Sequence, residues 1–287
     1  FWSHLCRSCV WEVAGMNLAD IEAGVAVHHE PNGVVVASRF HLDEARVHAP
    51  DADDLTMAID ALEVWHRQGH SGSVSIEISE RERPILVASL PWLTLDEAGS
   101  HVVHRFDYGA AVLERSASFD PAGVMVNSDA RISVDSENHT SMQEAWALEL
   151  SEQNVSQGAY VSDQVHVLGL EARLGMLAQT GPMWPPRGSN ADGSLPHKGE
   201  AIPLVARVVS WTRLIAAGCP SEFSIRAPVL GGLTSLLVTF DHGPSGVFLH
   251  ADGHPAEVDI DDEVRLVVRR VYAQDGTLRY GRKALLL

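Results

Sequence analysis

The feature that most constrains this chain is a change of pattern near residue 202. From Ile202 onward the apolar residues fall in short β-type runs separated by turn residues. Pro203–Ile215 reads as one long strand or a bent pair, and Leu233–Phe240 as the next. Gly246–His250 follows the turn Asp241-His-Gly-Pro244. Val264–Val271 alternates in part, and Asp275-Gly276 places a hairpin between it and Leu278–Tyr280. Short strands at this spacing predict a small Greek-key barrel.

The first half is patterned differently. Gly33–Ser38 reads as a buried strand, and Arg83–Ser89 as another. Asp51–His66 reads as a helix, with Leu55, Ile59 and Leu62 on one face at i, i+4 and i+7. Tyr108–Leu113 is strand-like and rich in small residues, while 115–165 is polar apart from an amphipathic stretch over Ser141–Leu150. Strand, helix, strand in this order predicts an α/β layer. The Pro- and Gly-dense stretch Gly181–Ser194 reads as a linker. The expected organisation is α+β, with an α/β segment over 1–165, a linker over 166–200 and a barrel domain over 201–287.

Of 287 residues, 45% are hydrophobic and 21% charged, which excludes wholesale disorder. The formal net charge of −17 comes without a basic run, so no nucleic-acid partner is expected. No apolar run reaches the roughly 18 residues a membrane helix needs. The opening residues, Phe1 to Val13, carry no basic region followed by an apolar one, so a cytoplasmic setting is expected. Cys6, Cys9 and Cys219 are too few for a disulfide framework, which fits a reducing compartment.

Five C-terminal segments carry a family likeness: Ala206–Thr212, Ala217–Phe223, Val238–Pro244, Val258–Val264 and Arg279–Lys283. In this order and spacing they resemble the acyl-CoA-associated OB-fold family that accompanies thiolase-superfamily enzymes. Upstream, Arg39, Pro50–Ala58, Ile85–Ser89 and Tyr108–Val112 resemble parts of hydroxymethylglutaryl-CoA synthase and the ketoacyl-synthase III group. The resemblance implies an OB-type barrel preceded by a truncated thiolase-like segment. It also implies a zinc ribbon before the barrel, but the matching place, Met183–Gly193, has no cysteine, so zinc is not expected.

The resembled synthases place a nucleophilic cysteine between the Thr-Met-Ala helix and the Leu-Val-Ala strand. Here that interval, Gln68–Ser79, has none, and Ser71, Ser73 and Ser75 lack the helix that would activate a nucleophile. The expectation is therefore a non-catalytic accessory or scaffold subunit. It would dock on a thiolase or hydroxymethylglutaryl-CoA synthase and assist acyl-CoA binding or channelling. The alternative is an acyl-CoA-dependent acyltransferase or condensing enzyme with an unrecognised nucleophile, Cys219 or a serine. Acyl-CoA is compatible with either reading, and no covalently bound cofactor is expected. In the resembled family the Trp184, Pro186 and Arg187 loop and Phe223 would face the partner; Trp and Arg are favoured anchors at interfaces.

Other residues read more plainly. Cys6 and Cys9 have C-x-x-C spacing, which half a zinc site or a redox pair would use, but no second pair follows at a usual distance. Adjacent His28 and His29 point to opposite faces of a strand and do not chelate one ion together. His242, His250 and His254 read as turn histidines, Asp259, Asp261, Asp262 and Glu263 as a solvated acidic turn, and Asp51, Asp53 and Asp54 as helix caps.

Overall fold

Strands β1 Met16–Leu18, β2 Asp20–Glu22, β3 Val25–Glu30, β4 Gly33–Ser38, β5 Phe40–Leu42 and β6 Ala45–Arg46 come first. Helix α1, Asp54–Arg67, follows, then β7 Ser73–Ile76, α2 Glu82–Ser89, β8 Thr94–Leu95, β9 His101–Phe106 and β10 Gly109–Glu114. After β11 Val124–Val126 and β12 Ile132–Ser133 come α3 Ser136–Glu149 and α4 Asp163–Leu174. The last strands are β13 Met183–Trp184, β14 Val205–Leu214, β15 Leu233–Thr239, β16 Ser245–Leu249, β17 Glu263–Gln274 and β18 Thr277–Leu286. This computed structural model describes residues 16–154, 163–177, 183–184, 201–241, 243–253 and 258–287. The fold is mixed α+β, mostly sheet with few helices.

The first sheet has the order β2-β3-β4-β10-β9-β7-β8. It is antiparallel from β2 to β9 and parallel from β9 to β8. Its central strands are covered on both sides, so they read as unbroken apolar runs instead of alternating ones. Val34 and Val36 of β4 and Ala110 and Val112 of β10 face one cluster with α1. Val35, Ala37, Ala111 and Leu113 face a second, with Leu18 and Val124 of the parallel β1–β11 pair. Gly33 opens β4 with φ at +155°, and a Cβ there would stand 2.0 Å from the Val112 carbonyl oxygen, so the β4–β10 approach requires glycine.

Helix α1 is buried all round because a second sheet lies over its other face. Leu55, Ile59 and Leu62 join the cluster on the first sheet, as expected from the apolar stripe. Thr56, Asp60 and Glu63, also at i, i+4 and i+7, form a second stripe that is equally buried. Val268 of β17 and Tyr280 of β18 pack into the same core.

The second sheet has the order β13-β16-β15-β14-β17-β18. The long β14 pairs with β15 along most of its length and with β17 near its start, and the register shifts between Val208 and Ser210. Asp275 and Gly276 both take positive φ, 51° and 68°, as the expected hairpin between β17 and β18 requires. One isolated parallel bridge joins His250, just past β16, to Ala284 of β18. No ladder closes the sheet into a barrel among the described residues; the sheet curls and stays open, with the bridge at its near-meeting edge.

Two expectations fail. Arg83–Ser89 is not a strand but lies in α2. Ser79 and Glu82 exchange side-chain-to-backbone bonds of 2.8 and 3.2 Å, a capping box that starts a helix, and Pro84 falls in the first turn where its missing N–H costs nothing. A short apolar run cannot distinguish a strand from one helical turn and a half. The second is the start of α3, which lies at Ser136, five residues before the stretch read as helical, because Asp135 caps it by accepting from Asn138 N at 2.9 Å.

Candidate functional site

Beneath the second sheet lies a chain of buried charges. Asp51 takes Lys283 Nζ at 2.8 Å and Arg226 Nη1 at 3.4 Å, and accepts the backbone N–H of Asp252 at 3.2 Å. Arg226 continues to Glu149 at 2.7 Å, donates to the Val271 carbonyl and lies 3.8 Å above the Trp146 ring. Glu149 also accepts the Ala273 N–H at 3.2 Å. Arg269 serves Asp252 at 2.7 Å and Asp60 at 2.9 Å, and Arg282 serves Glu63 at 2.6 Å. Tyr280 donates to Asp53 at 2.7 Å. Every one of these side-chain pairs except Asp252–Arg269 spans the two halves of sequence read as separate segments.

Burial sets the protonation of this network. It pushes the Asp51 carboxyl up, but Lys283 and Arg226 outweigh it and hold Asp51 below the usual carboxylate range. Asp60 goes the other way: burial, opposed by Arg269 and reinforced by Glu63 and Asp252, pushes it up to about 7. One guanidinium is shared between Asp252 and Asp60, and it cannot offset the desolvation of both. Glu149 is likewise raised by burial against Arg226. Burial, then the Asp53 carboxylate, raises the Tyr280 hydroxyl.

The network adjoins a cavity of about 420 Å³ between β5, the loop after β6, β12 and the loop after it, helix α3 and the segment after β16. Phe40, Pro50, Ile132, Met142 and Leu230 give it apolar walls, and His48, Asp135, His139 and Asp252 its titratable groups. Asp252 is buried; Oδ2 is held by Arg269, while Oδ1 has no partner among the described residues. His48 Nε2 meets Asp54 Oδ1 at 3.0 Å, and its Nδ1 likewise lacks a partner.

Several residues singled out by sequence land elsewhere. Asp53 is the N-cap of α1, reciprocated by Thr56, but Asp51 is no cap: it is the hub of the ion chain. Asp54 lies in the first turn and pairs with His48, which holds its carboxyl low. His28 pairs with Glu30 and His29 with Glu22, on opposite faces as expected. Asp262 accepts the Asp259 N–H at 2.8 Å and Asp261 takes φ of 73°, an exposed acidic turn.

Cys219 is not poised as a nucleophile. Its thiol donates to the carbonyls of Ile215 at 3.4 Å and Leu214 at 3.7 Å, and burial pushes its pKa up. Phe223, expected on a partner-facing surface, is 8% exposed and packs with Trp146, Ala227 and Leu230, because the turn after β14 folds it under the sheet. Trp184 lies on β13, paired with Gly246 of β16. Cys6, Cys9, Pro186, Arg187, His242 and His254 lie outside the described residues. Among the described residues no group of three His, Cys, Asp or Glu side chains could hold a metal ion, and no helix is long and apolar enough to cross a membrane.

Sequence reasoning missed Glu149, Arg226, Arg269 and Arg282. A signal existed for their partners: Asp60 and Glu63 sit within an apolar helix with apolar neighbours on both sides. No family model and no curated protein matches the chain.

Proposed function

We propose that this chain is a non-catalytic accessory subunit that docks on a thiolase-superfamily acyl-CoA enzyme and assists acyl-CoA binding or channelling. The observation that carries the reading is the strand order of the second sheet. β14 is central; β15 and β16 extend from one side, β17 and β18 from the other, and the His250–Ala284 bridge draws β16 towards β18. A partly open OB-type Greek-key barrel would present this arrangement, in the same segments that resemble the OB-fold family.

Two further observations favour an accessory role. Cys219 is kept as a thiol by burial and by its carbonyl acceptors, so the partner enzyme would supply the nucleophile. Val247 of β16, next to the edge that β13 joins, is a half-exposed apolar side chain on the face it shares with Leu237 and Ser210, and it suits a docking face. A net charge of −17 does little to attract an anionic CoA, so most of that affinity belongs to the partner.

The test is acyl labelling. The chain is mixed with a thiolase or hydroxymethylglutaryl-CoA synthase and a reactive acyl-CoA, and adducts are mapped by mass spectrometry. The label is expected on the partner's cysteine alone. An adduct on Cys219 or on a serine of this chain would establish the alternative, a condensing enzyme in its own right.

A further inference from the structure

We propose that seating the second sheet on α1 binds one proton, held on Asp60 beside Arg269, so that the seam between helix and sheet is a latch that lower pH closes. The proposal does not depend on the docking reading.

The charges of the seam do not balance. Five carboxylates are buried there, Asp51, Asp60, Glu63, Glu149 and Asp252, against four cations, Arg226, Arg269, Arg282 and Lys283. The surplus falls in one place. Lys283 and Arg226 together answer Asp51 and Glu149, and Arg282 answers Glu63. Arg269 alone answers two acids: Nη1 lies 2.9 Å from Asp60 Oδ2, and Nε lies 2.7 Å from Asp252 Oδ2. The other oxygen of each acid, Oδ1, is buried and has no hydrogen-bond partner among the described residues. A carboxylate left in that state is far more costly than the neutral acid.

The surroundings select Asp60 over Asp252. Asp252 stands at the wall of the cavity, and Lys283 attracts it as well as Arg269. Asp60 is fully buried, faces the like charges of Glu63 and Asp252, and has Arg269 alone to oppose them. The elements packed around it bring no spare cation. On the far side of α1, β4 and β10 present valine and alanine. Arg282 of β18 is spent on Glu63 and on the carbonyls of Leu174, Leu266 and Ser89. Arg265 of β17 is shared among Glu63, Glu22 and Glu263. Arg270 lies over the Trp146 ring and donates to the Pro50 carbonyl. Burial lowers the pKa of His250, and the Tyr280 hydroxyl is given to Asp53.

The direction follows from the exchange. With the seam open, Asp60 meets water and is an ordinary carboxylate with a pKa of about 4. With the seam closed, its pKa is about 7. Between those values closure takes one proton from solvent and turns the carboxylate into a carboxylic acid; opening returns it. The ratio of open to closed seam therefore rises about tenfold per pH unit up to about 7 and is level above it.

Two measurements on the full chain test the latch. Infrared difference spectra read the proton itself. At pH 6 a protonated-carboxyl band is expected that is gone at pH 8.5 and is absent from Asp60→Asn. Amide exchange at Val267 and Val268 of β17, corrected for its intrinsic pH dependence, reads the opening. Relative to Asp60→Asn, protection in the parent should fall about tenfold per unit from pH 5 to pH 7 and then level off. The infrared measurement uses the parent chain alone, so it decides even if the variant fails to fold. The proposal is overturned if the parent shows no protonated-carboxyl band at pH 6, if the band persists in Asp60→Asn, or if parent and variant lose protection with the same slope.

Discussion

Asp60 shows what burial does to a single acid in this fold. Its carboxyl, ordinarily near 3.8, is pushed up to about 7, so the folded chain holds a proton there that the unfolded chain has released. A raised folded-state pKa contributes stability that is full below about 3.8 and is lost as the pH rises through about 7. The whole effect is up to about 4 kcal/mol at about 1.4 kcal/mol per unit. Asp60→Asn removes it: urea midpoints at pH 5 and pH 8 should differ less in the variant than in the parent chain, with the variant gaining most at pH 8. An unchanged difference would refute this assignment. The residue scale is also where the sequence was least legible. Asp51 stands in a helix-start motif and reads as a cap, yet it binds Lys283 from the other end of the chain. Nothing local distinguishes a carboxylate that caps a helix from one that waits for a distant lysine. The Pro50–Ala58 and Arg279–Lys283 segments each carry a resemblance in the sequence, but their meeting through Asp51–Lys283 and Asp53–Tyr280 is a property of the fold alone.

At the scale of elements, legibility followed the strength of local signals. The hairpin at Asp275-Gly276, the strand Gly33–Ser38 and the stripe on α1 each carry a mechanism in the sequence, and each is present. α2 reads as a strand in the sequence although Ser79 and Glu82 form a capping box, because the apolar run after it is too short to reveal its period. Burial of both faces of α1 was illegible, since it depends on where the second sheet packs. Asp53 joins both kinds of information: it accepts Thr56 N at 2.9 Å as the cap and takes the Tyr280 hydroxyl at 2.7 Å. Asp53→Ala should therefore cost more than the ~1 kcal/mol of an ordinary lost cap. Tyr280→Phe should cost less than Asp53→Ala, because the cap itself survives. Urea unfolding measures both, and equal losses would contradict a capping role.

For the whole molecule, α1 is the shared layer between two sheets, and the ion pairs Asp60–Arg269, Glu63–Arg282 and Asp51–Lys283 join sequence positions more than two hundred residues apart. Such buried pairs add little net stability against well-packed apolar groups, but breaking one strands a charge, so they hold the second sheet in a single orientation on the helix. In the function proposed above, this fixed sheet presents a docking face to a thiolase-superfamily enzyme. Sedimentation velocity of the chain mixed with a thiolase or hydroxymethylglutaryl-CoA synthase from the same genome tests it most directly. A faster boundary containing both proteins is predicted, reduced when Val247→Asp places a charge on the half-exposed face of β16. Two independent boundaries at every concentration would contradict the claim.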